Sequence, residues 1–308
     1  MPAGASGLKF SGRAADPVTV STATVAGALD ERILRAVDRL PPFSAVLGKL
    51  LATLANDDVS FGDLANLIEK DTVLAGNLLK VVNSAMYGRK GTVNSVRHAV
   101  ALLGTGKVRN MVIGLSVCQL WSKVRMPRGW SSKNFNLHSI GVGVLSDLIA
   151  LEVPVPYAEG AFVAGLLHDV GKLLIAIALP DEFEKVIALY EKGDRELVEC
   201  ELYVTGAPHP DCSGAVLDKW GLPMPIRRAA EFHHKPDEAN GGQLHLAHVV
   251  QAANAYVNRT GLAVIPPVAS HNGASPLSAL EALGLSSEMA TDMERTFQMD
   301  FEALKAFF

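Results

Sequence analysis

The sequence predicts an all-α protein made of two packed helical bundles. Three observations lead there. Apolar residues recur at helical spacing through most of the chain, cap and stop residues punctuate them, and no segment shows sustained period-two alternation bounded by hairpin turns. With 308 residues, 49% of them hydrophobic and 19% charged, the chain is long and apolar enough to bury a large core and far from a disordered composition.

Residues 1–25 are rich in Gly, Ala, Ser and Thr without helical period and read as a tail. Leu29, Ile33, Leu34 and Val37 then form one helical face, which Leu40-Pro41-Pro42 ends. Val46, Leu47, Leu50, Leu51 and Leu54 form the next, closed by Asn56-Asp57-Asp58. Ser60 and Asp63 resemble a capping box for a helix from Phe61 to Lys70, and Asp71 can cap another from Thr72 to about Ala85. Asn94 or Ser95 can cap a helix through Leu103, and Thr105 one running to about Trp121. Residues 26–125 thus form one helical unit, and Met126-Pro127-Arg128-Gly129 reads as a linker. The second unit, 131–260, is expected to carry helices at about 132–151, 158–178, 181–192, 194–204, 209–219, 223–232 and 244–259. A Pro/Gly/Ser-rich break and a short helical tail fill 261–308.

The balance of charge narrows the function. Twenty-eight Lys and Arg against 32 Asp and Glu leave a formal charge of -4, which supplies no global attraction to nucleic acid or an anionic membrane. The longest apolar stretches, Ala161 to Leu167 and Leu173 to Leu179, fall short of the roughly 20 residues of a spanning helix, so a transmembrane segment is not expected. No signal-peptide core stands at the start, and Cys118, Cys200 and Cys212 form no CxxC pair. A cytoplasmic protein whose cysteines serve as small buried hydrophobes is expected.

Eight of the nine histidines follow residue 130. The sharpest feature among them is Leu166-Leu167-His168-Asp169-Val170-Gly171-Lys172-Leu173, where three polar side chains interrupt a helix that is otherwise apolar on all sides. Burying an unpaired carboxylate or imidazole costs several kcal/mol. A metal ion or a structural hydrogen-bond network could supply the partners. His168 and Asp169 lie about 100° apart on a helix and can flank one ion, and Lys172, a turn further on, could contact an anion there. His138, His209 and the pair His233-His234 are the other candidate ligands. Imidazole with carboxylate suits Fe, Mn, Ni or Zn better than Ca or Mg. Other polar residues carry plainer readings. Arg89, Lys90, Arg97, Lys107 and Arg109 read as a solvated face, Asn83, Ser84 and Tyr87 as helix-end hydrogen bonders and core contacts, and His98, His245, His248 and His271 as packing or surface residues.

The segments Leu40-Pro41-Pro42, Asp71 through Leu79, Val82-Asn83-Ser84-Ala85-Met86-Tyr87-Gly88 and Val96-Ala99-Leu103-Gly104 resemble the signature of the HDOD family, an offshoot of the HD phosphohydrolase superfamily. The likeness covers roughly residues 30 to 260. It implies an HD-domain-like second bundle and a regulatory or signalling role through protein partners. It also implies a metal-ligand set at His138, His168, Asp169, His209, His233 and His234, with Lys172 beside it. The distal Asp of the superfamily falls on Asn254, a neutral and weaker ligand, and the Gly-Tyr-Pro segment of the cyclic dinucleotide branch is replaced by Lys235-Pro236-Asp237. The expectation is therefore a cytoplasmic bacterial signal-transduction protein with a retained or degenerate site for a divalent transition metal (Fe, Mn, Ni or Zn), or none. The alternative is a metal-dependent phosphohydrolase acting on a nucleotide or phosphate ester, with Asp169 and Lys172 as candidate catalytic residues. A nucleotide or phosphate ligand fits either reading, whereas nucleic acid and membrane partners do not.

Overall fold

The structure is a computed structural model that describes residues 31–305 except 39, 41–42, 56–59, 84–91, 122–123 and 267–274. The proposed tail, Ser84 through Lys90 and His271 lie outside the described residues. Among the described residues there is no strand. The order is α1 (Glu31–Val37), α2 (Ala45–Ala52), α3 (Phe61–Glu69), α4 (Thr72–Val82), α5 (Val96–Leu103) and α6 (Thr105–Trp121). There follow α7 (Ser132–Glu152), α8 (Ala161–Leu167), α9 (Val170–Ala178), α10 (Pro180–Tyr190), α11 (Leu197–Thr205), α12 (His209–Lys219), α13 (Met224–Phe232), α14 (Leu246–Arg259), α15 (Ser278–Glu281) and α16 (Ser287–Lys305).

Local chemistry starts the helices where the sequence places them. The Ser60 hydroxyl accepts the Asp63 N–H, Asp71 accepts those of Val73 and Leu74, and Ser95 accepts that of His98. Thr105 opens α6 rather than capping it, because Gly104 takes a positive φ of 85° and itself divides α5 from α6. Helix α4 closes at Asn83, whose side chain donates to Leu79 O (2.8 Å) and Val93 O (2.7 Å) and accepts from Val93 N (2.8 Å). That residue ties the two ends of the intervening segment together.

One continuous buried apolar cluster runs from Ile33 to Leu304. Helix α7 is buried along most of its length and packs on α8, α14 and α16, while α12 packs on α9 and α13. The first bundle is joined to the second by α1, which lies on α9 and α12, and by stacking of Trp121 on Trp220. The expected helix 158–178 is a 3-10 turn followed by α8 and α9, broken at His168–Asp169. Ala158–Ala178 as a whole is long and apolar enough to cross a membrane by length and composition, but 89% of its apolar window is buried inside the fold. The polar break between its two apolar runs points into the core.

Two glycines set how closely the helices around that break approach. A Cβ at Gly165 would lie 2.6 Å from Ser146 Oγ and 2.7 Å from Val142 O on α7. A Cβ at Gly171 would lie 2.0 Å from His209 O and 2.8 Å from Ser213 N on α12. Only a missing side chain lets α8 touch α7 and α9 touch α12 at these distances, and the break between α8 and α9 is thereby held against both neighbours.

Candidate metal centre

Five helices, α7, α8, α9, α12 and α13, bring polar residues on them or at their ends to one buried point. His138 comes from α7, His168 and Asp169 from the α8–α9 break, Lys172 from α9, His209 from the first residue of α12, and His233 and His234 from the end of α13. Asp169 is fully buried and sits at the middle. Its Oδ2 is 3.4 Å from His138 Nε2, 3.4 Å from His168 Nε2 and 2.6 Å from Lys172 Nζ. Its Oδ1 is 3.2 Å from His209 Nε2 and 3.7 Å from His233 Nε2. The carboxylate thus faces two groups that could each hold an ion, His138 with His168 and Asp169 on one side and His209 with His233 and His234 on the other.

The far side of each ring determines what the near side offers. His138 Nδ1 lies 2.8 Å from Leu262 O, His168 Nδ1 2.7 Å from Gly165 O, and His233 Nδ1 2.7 Å from Ala230 O. A carbonyl only accepts, so each of these Nδ1 atoms carries the proton, and in the neutral ring Nε2 is a bare lone pair. The Nε2 atoms converge: His138 Nε2 and His168 Nε2 are 3.4 Å apart, His209 Nε2 is 3.4 Å from His233 Nε2, and His234 Nε2 is 3.2 Å from His209 Nε2. Burial drives the His168 imidazole down to about 3, and burial with the neighbouring His168 holds His233 well below its ordinary value, so both rings are neutral. Burial and the adjacent His233 lower His234 in the same way.

Asp169 stays ionised in this setting. Burial alone would raise its pKa, but the Lys172 ammonium, 2.6 Å from Oδ2, favours the charged form, and the carboxyl is held well below the usual carboxylate value. Among the described residues no hydrogen-bond donor of suitable geometry reaches Oδ1. An ionised oxygen and several imidazole lone pairs aimed at one another repel unless a cation stands among them. The donor set, nitrogen with one carboxylate, suits a divalent transition metal. The rings of His138, His168, His209 and His233 are also held from behind by a hydrogen bond at Nδ1, as metal-bound imidazoles usually are.

Asn254 is buried on α14, where its Oδ1 accepts from Asn258 Nδ2 at 2.8 Å. The structure also brings in a residue that the sequence does not mark. Glu201 of α11 is buried, and its Oε2 accepts both the His209 backbone N–H (2.8 Å) and the His209 Nδ1–H (2.7 Å). Burial would lower the His209 pKa, yet Glu201 and Asp169 raise it. Glu201 lies eight residues before His209 among other acidic residues, and its only sequence signal is a position on the face shared with Cys200 and Thr205. Ser213 is the other unmarked contributor. It accepts from Gly171 N (2.9 Å) and donates to His168 O (2.7 Å), pinning the break to α12. His245 and His248 play no part in the cluster. They cap α14 reciprocally, His245 Nδ1 accepting from Ala247 N and His248 Nδ1 from His245 N.

Comparison with known proteins fixes the family, because the profile of the HDOD domain matches residues 40–236, well over half of the chain. The chain belongs to the HDOD family. The matched span contains every cluster residue named above, together with Lys172, Glu201 and Ser213, and stops short of Asn254. An HDOD domain protein of unknown function from Geobacter sulfurreducens has a similar structure, with a TM-score of 0.72 and 23% identity over 90% of this chain and 98% of that one. A Shewanella amazonensis SB2B protein provisionally named a phosphohydrolase gives a TM-score of 0.70 at 20% identity, again over 90% and 98%. A Marinobacter aquaeolei VT8 protein provisionally named a signal transduction protein gives 0.67 at 21% over 90% of this chain and 64% of that one. At these identities the likeness establishes the HDOD fold. An uncharacterised protein of Treponema pallidum (strain Nichols) is 23% identical over 240 residues, which are 77% of this chain and 45% of that protein. The chain therefore spans under half the length of that curated relative.

Proposed function

We propose that this HDOD protein is a regulatory module that acts through protein partners and carries a buried transition-metal centre bridged by Asp169. The observation that supports it is the enclosure of the cluster. His138, His168, Asp169, His209 and His233 are all at or below 1% exposure, and His234 is the member open to solvent. Lys172, the side chain best suited to a phosphoryl oxygen, is itself buried and held on Asp169. A centre of this kind holds the ends of α8, α9, α12 and α13 together, so its loading governs how those helices sit. His138, His168 and Asp169 would hold one ion, and His209, His233 and His234, with the second Asp169 oxygen, another. A divalent ion there supplies the positive charge that the converging lone pairs call for and can polarise a coordinated oxygen. Glu201 fixes the His209 tautomer, and Ser213 fixes the backbone at His168.

A phosphohydrolase is the second reading, favoured by the exposed edge at His234 and by Lys172 lying beside Asp169. The two readings part in one set of measurements. Protein purified without chelator or metal-affinity resin is analysed for metal beside His168→Ala, then assayed with Mn, Fe, Ni and Co against a broad panel of phosphate esters and nucleotides. Metal bound by the wild type and lost in the variant, no phosphate release, and a partner in a pull-down that survives Asp169→Ala are the expected results. Metal-stimulated hydrolysis abolished by Asp169→Ala, with no partner captured, would overturn the regulatory reading. A wild type free of metal would overturn the metal centre.

A further inference from the structure

A second site lies where the two bundles and the C-terminal helix meet. Helices α6, α7, α8 and α16 surround a cavity of about 490 Å3, a volume suited to a small organic molecule. Its walls are mostly apolar, formed by Met111, Val144, Leu148, Phe162 and Leu304. Polar groups also line it. Lys107 Nζ is paired with Asp300 Oδ1 at 2.6 Å, so these two charges cancel. What remains is Arg109 against the carboxyls of Asp147 and Glu159, an excess of acceptors.

Asn110 makes the excess specific. It is 6% exposed, lines the cavity, and its Oδ1 has no hydrogen-bond partner among the described residues. A side-chain hydrogen bond from Asn110 favours the charged form of Asp147. An ionised carboxylate only accepts, so the Asn110 NH2 faces Asp147 and the oxygen is left over. Burial pushes the Asp147 carboxyl up to about 6 even so, with Asp300 adding to the rise and Asn110, Arg109 and Lys107 opposing it. A buried acceptor without a donor is an uncommon and costly arrangement in a folded protein. A molecule with N–H groups along one edge would satisfy it and Asp147 together.

We propose that this cavity binds a small, flat, largely apolar molecule with an N–H donor edge, of the amidine or amino-heterocycle class, which donates to Asn110 Oδ1 and the Asp147 carboxylate. An anion of the same shape is rejected because its charge would lie against Asp147. The lining shares no residue with the histidine cluster, so the proposal stands or falls apart from the metal.

Benzamidine is the probe, with benzoate as its anionic counterpart of nearly equal shape. Calorimetric titration of the full chain is expected to show saturable one-to-one binding of benzamidine in the millimolar range or tighter, the level such a small fragment can reach, and none of benzoate. Two variants locate the site. Asp147→Asn removes the charge with little change in shape, and Thr296→Trp places a bulky side chain at the exposed rim on α16, where the core need not accommodate it. Each is expected to weaken benzamidine at least tenfold. Absence of benzamidine binding, equal binding of benzoate, or an affinity unchanged in either folded variant would overturn the proposal.

Discussion

Replacing Gly171 by alanine tests how the site is assembled. The added Cβ would stand 2.0 Å from the His209 carbonyl oxygen, 2.8 Å from Ser213 N and 2.9 Å from Cys212 Cβ. Two of these are backbone atoms, so no rotamer change relieves the clash, and α12 must retreat from α9 by about 1.4 Å for the 2.0 Å approach to reach the 3.4 Å at which ordinary contact begins. That retreat lengthens the Gly171 N–H to Ser213 Oγ bond of 2.9 Å and the Ser213 Oγ–H to His168 O bond of 2.7 Å, both buried. Each buried hydrogen bond lost with a group left unsatisfied costs roughly 1–3 kcal/mol and overpacking adds a similar amount, so the three terms reach about 3–9 kcal/mol; both bonds are lengthened rather than lost, so the low end, about 3–5 kcal/mol, is expected. For a chain of this size that is roughly 5–10 °C in the melting midpoint. The control is Gly76→Ala inside α4, where a Cβ meets nothing within 4 Å. The same chemical change there is expected to stabilise by roughly 0.5–1 kcal/mol, because alanine loses less backbone freedom in a helix. Thermal and urea unfolding of both variants, read by circular dichroism, measures the pair. Equal effects of the two substitutions, or a Gly171→Ala protein as stable as the wild type, would show that α9 and α12 are not pressed together at this glycine.

Glu201→Gln weakens the hold on the His209 tautomer without emptying the space, and a loss of about 10–100-fold in Mn or Co affinity is expected by calorimetry, with the far-UV spectrum unchanged; equal affinity refutes the role. Asp147 has a folded pKa of about 6 against an ordinary value of 3.8, with Arg109 and Lys107 on α6, Glu159 before α8 and Asp300 on α16 among the charged groups of the cavity it lines. The folded state therefore binds its proton more tightly than the unfolded chain, so the stabilisation is present at low pH and is lost as pH rises from about 4 through 6, by about 3 kcal/mol at most. Asp147→Asn is expected to remove that fall and to be more stable than the wild type at pH 8, which urea midpoints at pH 4 and 8 will measure. Asn83→Ala deletes the side chain bonded to Leu79 O and to both backbone groups of Val93, and about 1–3 kcal/mol is expected to be lost in urea unfolding, with faster hydrogen exchange at the Val93 amide.

The donors of the candidate site were legible because each is odd in its local setting. His168, Asp169 and Lys172 stand in a run that is otherwise apolar, and a polar residue inside such a run must meet a partner wherever the run is buried. The helices were legible for the same local reason. Ser60, Asp71 and Ser95 cap the helices they precede, and the start and end of α12 match the expected 209–219. The break of 158–178 at His168–Asp169 was not legible, since neither Gly nor Pro stands at the break itself. Glu201 was hidden for another reason. Glu196 and Glu199 on the same stretch read alike in sequence, and only the packing that buries Glu201 beside the start of α12 separates a ligand-positioning carboxylate from a surface one.

The sequence by itself determined the helical class, the order of most helices and the set of imidazoles available, since periodicity, capping and side-chain chemistry act over a few residues. The tertiary structure decided which of these meet. His138 and His233 are almost a hundred residues apart, and they face the same carboxylate because α8 and α9 approach α7 and α12 at Gly165 and Gly171 as closely as backbone allows. The division of labour within Asp169, one oxygen toward each histidine group, follows from that packing. Contacts between distant segments depend on how whole faces fit, and no short window of sequence carries that information.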